Sequence, residues 1–68
     1  MNVQVMKTNA SLAREMQAMI AEGMEAYDCL MYAIDEGVEY PDAVYLVTRA
    51  LRLDADAVYD LEEMYQYR

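Results

Sequence analysis

Thirteen carboxylates set against five basic side chains are what this chain offers chemistry in quantity. Paired carboxylates act as general acid and base when a substrate pocket, a histidine or a phosphate-cradling glycine loop accompanies them. The chain has no histidine and only two isolated glycines, so no catalytic residue is assigned and no enzyme is expected. Asp54, Asp56 and Asp60 have part of the spacing of a calcium loop. The sixth and twelfth positions of that loop, which need glycine and glutamate, are here Tyr59 and Tyr65. The three acids are better explained as the capped start of a helix. A Cys/His zinc site is excluded, because Cys29 is the only cysteine. No metal or cofactor is expected. On a helical wheel Cys29 lies near Glu22, Glu25 and Glu36, whose charges disfavour a thiolate. It is predicted to be a small residue at the edge of a buried face.

The acids have a second use, as a recognition surface. A formal charge of −8 repels nucleic acid and anionic membranes, so neither is an expected partner. It attracts basic protein surfaces. The candidate partner-binding face is Glu15, Glu22, Glu25, Asp28, Asp35 and Glu36, continued by Asp56, Asp60 and Glu63. Seven tyrosines with no Trp or Phe supply candidate contact anchors where they fall on polar arcs: Tyr32, Tyr45, Tyr59 and Tyr67.

These residues need helices to position them, and the pattern is helical throughout. Residues 10–36 contain one glycine, no proline and mostly good helix formers. Leu12, Met16, Met19, Ile20, Tyr27, Leu30 and Ile34 share one side of the wheel, and Met24 and Met31 widen the apolar arc to about 160°. One helix of about 40 Å is predicted there. The arc is wider than a small core needs, so Met16, Met19, Ile20, Met24, Tyr27 and Met31 form a candidate seam for a homodimer or partner helix. Gly37 closes this helix. Pro41 and Asp42 open a second, about 41–52, and Asp54 caps a third, about 55–67. The expected fold is an all-α, three-helix module: one long N-terminal helix and a helical hairpin, as a single domain over residues 10–68. Residues 1–9 are expected to be a flexible tail or, at Val3 and Val5, a short strand. No internal repeat is expected. A lone thiol and the lack of a signal-peptide or membrane-spanning apolar run point to the cytoplasm.

Several acids contradict local helix preference on this layout. Asp35 and Glu36 would end the long helix where cations are favoured. Like charges recur one turn apart at Glu22/Glu25, Glu25/Asp28, Asp56/Asp60 and Asp60/Glu63, each costing a few tenths of a kcal/mol. Such departures mark a surface retained for use.

Val47–Glu62, VTRALRLDADAVYDLE, resembles the helix-turn-helix segment of small phage-repressor-like DNA-binding domains. Ala50, Leu51, Leu53, Asp54, Val58 and Glu62 match that family's alanine, leucine, aliphatic, cap, aliphatic and acid positions. Arg52 stands where its turn glycine is expected. The helix that would read DNA carries Asp56, Tyr59, Asp60 and Glu63, which phosphates and base edges repel. As a tiny, acidic, all-helical chain, the protein also resembles phage-encoded anti-defence inhibitors, including DNA-mimicking anti-CRISPR proteins. That resemblance implies carboxylate rows filling a nucleic-acid groove. The expected function is a non-enzymatic acidic module that blocks a basic, nucleic-acid-binding site on a target protein. The alternatives are a homodimeric regulatory or scaffold protein and a divergent helix-turn-helix regulator.

Overall fold

Where the helices break decides the architecture, and among the described residues there are three breaks. The computed structural model describes residues 8–68, which form α1 (Asn9–Ala21), α2 (Ala26–Asp35), α3 (Tyr40–Leu51) and α4 (Ala55–Gln66). The fold is all-α, as the pattern predicts, and α3 and α4 are the expected hairpin elements. The single helix expected over 10–36 is instead two helices, so the described residues hold four rather than three. Thr8 caps α1, its Oγ1 accepting the Ser11 N–H at 3.1 Å. Asn9, assigned above to the tail, is therefore helical. The strand considered at Val3 and Val5 lies outside the described residues.

The break at Gly23 has a definite backbone chemistry. Gly23 takes φ +98°, a left-handed conformation open to glycine because it has no Cβ. Its N–H donates to the Ile20 carbonyl, and the Met24 N–H donates to the Met19 carbonyl, both at 3.0 Å. This pair of bonds satisfies carbonyls that a helix end leaves without donors. Gly37, at φ +101°, repeats it: Gly37 N–H to the Ile34 carbonyl at 3.0 Å, Val38 N–H to the Ala33 carbonyl at 3.1 Å. At the third corner Arg52 is left-handed (φ 56°, ψ 49°), and the Leu53 N–H reaches the Thr48 carbonyl at 3.0 Å. Two residues after each left-handed position an acid caps the next helix: Glu25, Glu39 and Asp54. The run Ile-X-Glu-Gly-X-Glu-X-X-Asp, at Ile20–Asp28 and again at Ile34–Asp42, is thus an internal repeat that builds the same corner twice. The expectation of no repeat is corrected.

Arg52 occupies a conformation that costs a residue with a Cβ about 1–2 kcal/mol. Its side chain is exposed, so little packing is lost with it. Arg52→Gly is expected to stabilise the fold by about 0.5–1 kcal/mol, net of glycine's larger unfolded-state entropy. A urea midpoint that fell would show that the Arg52 side chain carries a stabilising contact.

The core is built around α3. Ala43, Val44, Leu46 and Val47 of α3 bury against Leu12 and Met16 of α1 and Cys29, Leu30 and Ala33 of α2. The Gln17 side-chain amide donates to the Ala50 carbonyl at 3.1 Å, tying α1 to the last turn of α3. From α4 only Leu61 is fully buried, with Val58 and Tyr65 half-buried beside it. This fourth helix is held by a narrow stripe and lies along the edge of a molecule measuring 44 × 25 × 17 Å.

Candidate functional site

Splitting the long helix reassigns its acids. Glu25 no longer sits in a helix interior facing Asp28. It caps α2, and the Asp28 carboxylate accepts the Glu25 N–H at 3.0 Å. Asp28, Asp42 and Asp56 all lie in first turns, where the exposed N–H groups favour negative charge. Glu15 is half-buried and accepts a hydrogen bond from the Tyr32 hydroxyl. Glu15 is thus engaged by Tyr32 and Asp28 by the Glu25 N–H, while the Glu25 and Asp28 side chains stay exposed at the start of α2. The conflict with helix electrostatics dissolves at Glu22/Glu25 and Glu25/Asp28 but remains within α4 at Asp56/Asp60 and Asp60/Glu63. It also persists at Glu22 and Glu36, the exposed C-cap residues of α1 and α2, and at Asp35 beside Glu36.

The acids of α4 are different. With Leu61, Val58 and Tyr65 turned inward, a 100° wheel directs Asp56, Tyr59, Asp60, Glu63 and Tyr67 outward. All five are exposed, Tyr59 at 61% and Tyr67 at 77%. The Tyr59 hydroxyl donates to Glu63 Oε2 at 3.1 Å, spanning one turn of this face. Two of the expected aromatic anchors thus stand within a row of three carboxylates. Tyr45 is also exposed, at 63%, but its company is cationic. Arg49 Nη1 donates to its hydroxyl at 3.1 Å and the guanidinium lies 5.5 Å from the ring centroid. Tyr45 and Arg49 border an open depression of about 420 Å³ with Asn9, Val38, Asp42 and Leu46. Tyr32, tied to Glu15 and half-buried, is not an exposed anchor.

The expected apolar seam is not continuous. Met16 is 0% exposed, and Met19, Tyr27 and Met31 are half-buried, Met19 and Tyr27 against the core. Ile20 (39%) and Met24 (41%) are left open at the α1–α2 corner. The turn at Gly23 redirects the chain, so residues that share one side of a straight helix close onto the core instead.

An aromatic cluster went unpredicted. The rings of Tyr40, at the start of α3, and Tyr65, on α4, stack with centroids 4.2 Å apart and planes at 20°. The Arg68 guanidinium lies 3.9 Å from the Tyr65 centroid. Tyr65 and Arg68 are three residues apart in the chain. The Tyr40–Tyr65 contact is tertiary and had no local signal.

Cys29 is 0% exposed, and its Sγ donates to the Met16 carbonyl at 3.6 Å. Burial first, and then the Asp28 charge, push its pKa above the ordinary 9.0. An acid whose pKa is raised by folding costs no stability below that ordinary value. Above it, the unfolded state releases its proton first and stability falls. Maleimide labelling of the native protein is expected only through transient opening. Labelling as fast as in the urea-unfolded chain would place the thiol at the surface. Among the described residues no three His, Cys, Asp or Glu side chains converge to hold a metal ion, and no helix is long and apolar enough to cross a membrane.

No protein-family model matches this chain, and neither a curated protein nor a solved structure does.

Proposed function

We propose that the protein is a non-enzymatic, acidic protein-binding module that docks the outer face of α4 onto a basic surface of a partner protein. The observation that carries this reading is the exposure of Asp56, Asp60 and Glu63 in one row, with Tyr59 and Tyr67 between and beyond them. The row presents one carboxylate per roughly 5 Å of helix axis. A single DNA strand presents one charge per about 3.4 Å. The densities are close enough for a groove of Lys and Arg that holds phosphates to accept this helix instead. Two rigid, amphipathic tyrosines supply contact area that charge alone lacks. Inhibition of a nucleic-acid-binding protein, in the manner of the DNA-mimicking anti-CRISPR proteins the chain resembles, is the finer form of the proposal. The same row opposes direct DNA binding by α4, although α3 and α4 are joined by three residues, the length of a helix-turn-helix link. Ile20 and Met24 alone are a small patch beside the roughly 800 Å² per partner of a stable interface, so the homodimer gains little support.

The test is competition and salt dependence with the partner recovered from the native host. Duplex DNA is expected to displace the protein, and affinity is expected to fall steeply between 0.1 and 1 M salt. The Asp60→Asn, Glu63→Gln double variant, which leaves the caps intact, is expected to bind several-fold more weakly. Equal retention at both salt concentrations, or an unaffected double variant, would overturn the electrostatic mechanism.

A further inference from the structure

The cluster of Tyr40, Tyr65 and Arg68 opens onto a cavity of about 480 Å³ that Glu62 and Gln66 also line. Its chemistry is that of a cation seat. A phenol ring carries negative charge density on its face and draws a guanidinium held within about 6 Å. Arg68 sits 3.9 Å from the Tyr65 centroid. Tyr65 is braced by stacking on Tyr40, and both rings are half-buried. Glu62 lines the same cavity and brings a full negative charge to it. The Tyr40 phenol registers that setting. Its pKa is raised above 10.0 by burial first, then by Glu62 and Tyr65, while Arg68 acts in the opposite sense. In a chain of net charge −8, the seat is filled by one of its few bases, the exposed side chain of Arg68 just beyond the C-cap of α4.

We propose that the Tyr40–Tyr65 stack and Glu62 form a seat for an arginine side chain of a partner protein, with Arg68 occupying it in the free chain. This deepens the reading of a basic protein partner and rests on it. A planar guanidinium lies flat on a ring and is more weakly hydrated than an ammonium, so arginine is favoured over lysine. Because the incoming group replaces a like group, the unmodified chain binds a single arginine weakly. Removing Arg68 frees the seat.

The probe is N-acetyl-arginine amide, titrated against the full chain while the Tyr40 and Tyr65 ring signals are followed by NMR. The lysine analogue and the neutral glutamine analogue serve as comparators. Arg68→Ala is expected to bind the arginine probe about five-fold more tightly than the unmodified chain, the equivalent of one exposed cation–π contact. Tyr65→Phe, which keeps the ring, should retain binding in the Arg68→Ala background, and Tyr65→Leu should lose it. An Arg68→Ala chain that binds no tighter overturns the seat, as does a glutamine analogue that shifts the rings equally. The Asp60→Asn, Glu63→Gln variant should titrate with the arginine probe unchanged. Failure of the seat and failure of the α4 face are therefore separate results.

Discussion

Leu30→Ala is expected to remove about 2–5 kcal/mol of stability, the range for deleting a fully buried leucine. Leu30 is 0% exposed at the middle of α2 and belongs to the single cluster that joins α1, α2 and α3. The loss has two parts, the transfer energy of the missing methyl groups and the cavity that neighbours held on other helices fill incompletely. A domain of 68 residues has a total stability of about 3–10 kcal/mol. The variant is therefore expected to lose most of its cooperative unfolding transition, and at the upper end of the range to be unfolded at 25 °C. Met24→Ala is the control. Met24 is 41% exposed, and such surface changes stay within about 0.5 kcal/mol. Urea denaturation followed by circular dichroism reads both. A Leu30→Ala midpoint as high as that of Met24→Ala would mean that α2 does not pack on α3 as described.

Gly23→Ala tests the corner that divides α1 from α2, because its sign depends on the architecture. In one continuous helix, replacing an interior glycine by alanine stabilises by about 1 kcal/mol. At φ +98° the same change forces a Cβ into the left-handed region and costs about 1–2 kcal/mol. A Cβ built at Gly23 meets nothing within 4 Å, so no clash adds to this backbone term. The expected result is a lower midpoint with unchanged helical content. A rise in both stability and helicity would mean that α1 and α2 had fused, and it would restore the single helix predicted over residues 10–36.

These two variants also mark how far local pattern carries. The start of α3 at Tyr40-Pro41 and the Asp54 cap of α4, whose carboxylate accepts the Ala57 N–H at 2.9 Å, follow from residue types that act on their own backbone. The outward row on α4 was equally legible. Once Val58, Leu61 and Tyr65 turn inward, the helical period places Asp56, Tyr59, Asp60, Glu63 and Tyr67 on the other side. Local pattern predicts no break at Gly23, because one glycine costs a helix only about 1 kcal/mol, too little to end it unless the chain gains by turning. The signal for a corner is in the sequence, since the same Ile-X-Glu-Gly-X-Glu run surrounds Gly37, where α2 ends.

By itself, then, the sequence determined the all-α class, the helical hairpin, the capped start of α4 and its acid–tyrosine face. Each follows from chemistry acting within a few residues. Tertiary structure alone decided that the first helix breaks, that Glu15 binds Tyr32, and that Tyr40 stacks on Tyr65. Those outcomes depend on what approaches from elsewhere in the chain. A glycine corner is worth making because turning there lets Leu12, Met16, Cys29 and Leu30 bury together against α3, a gain that no stretch of residues 10–36 could reach as one straight helix.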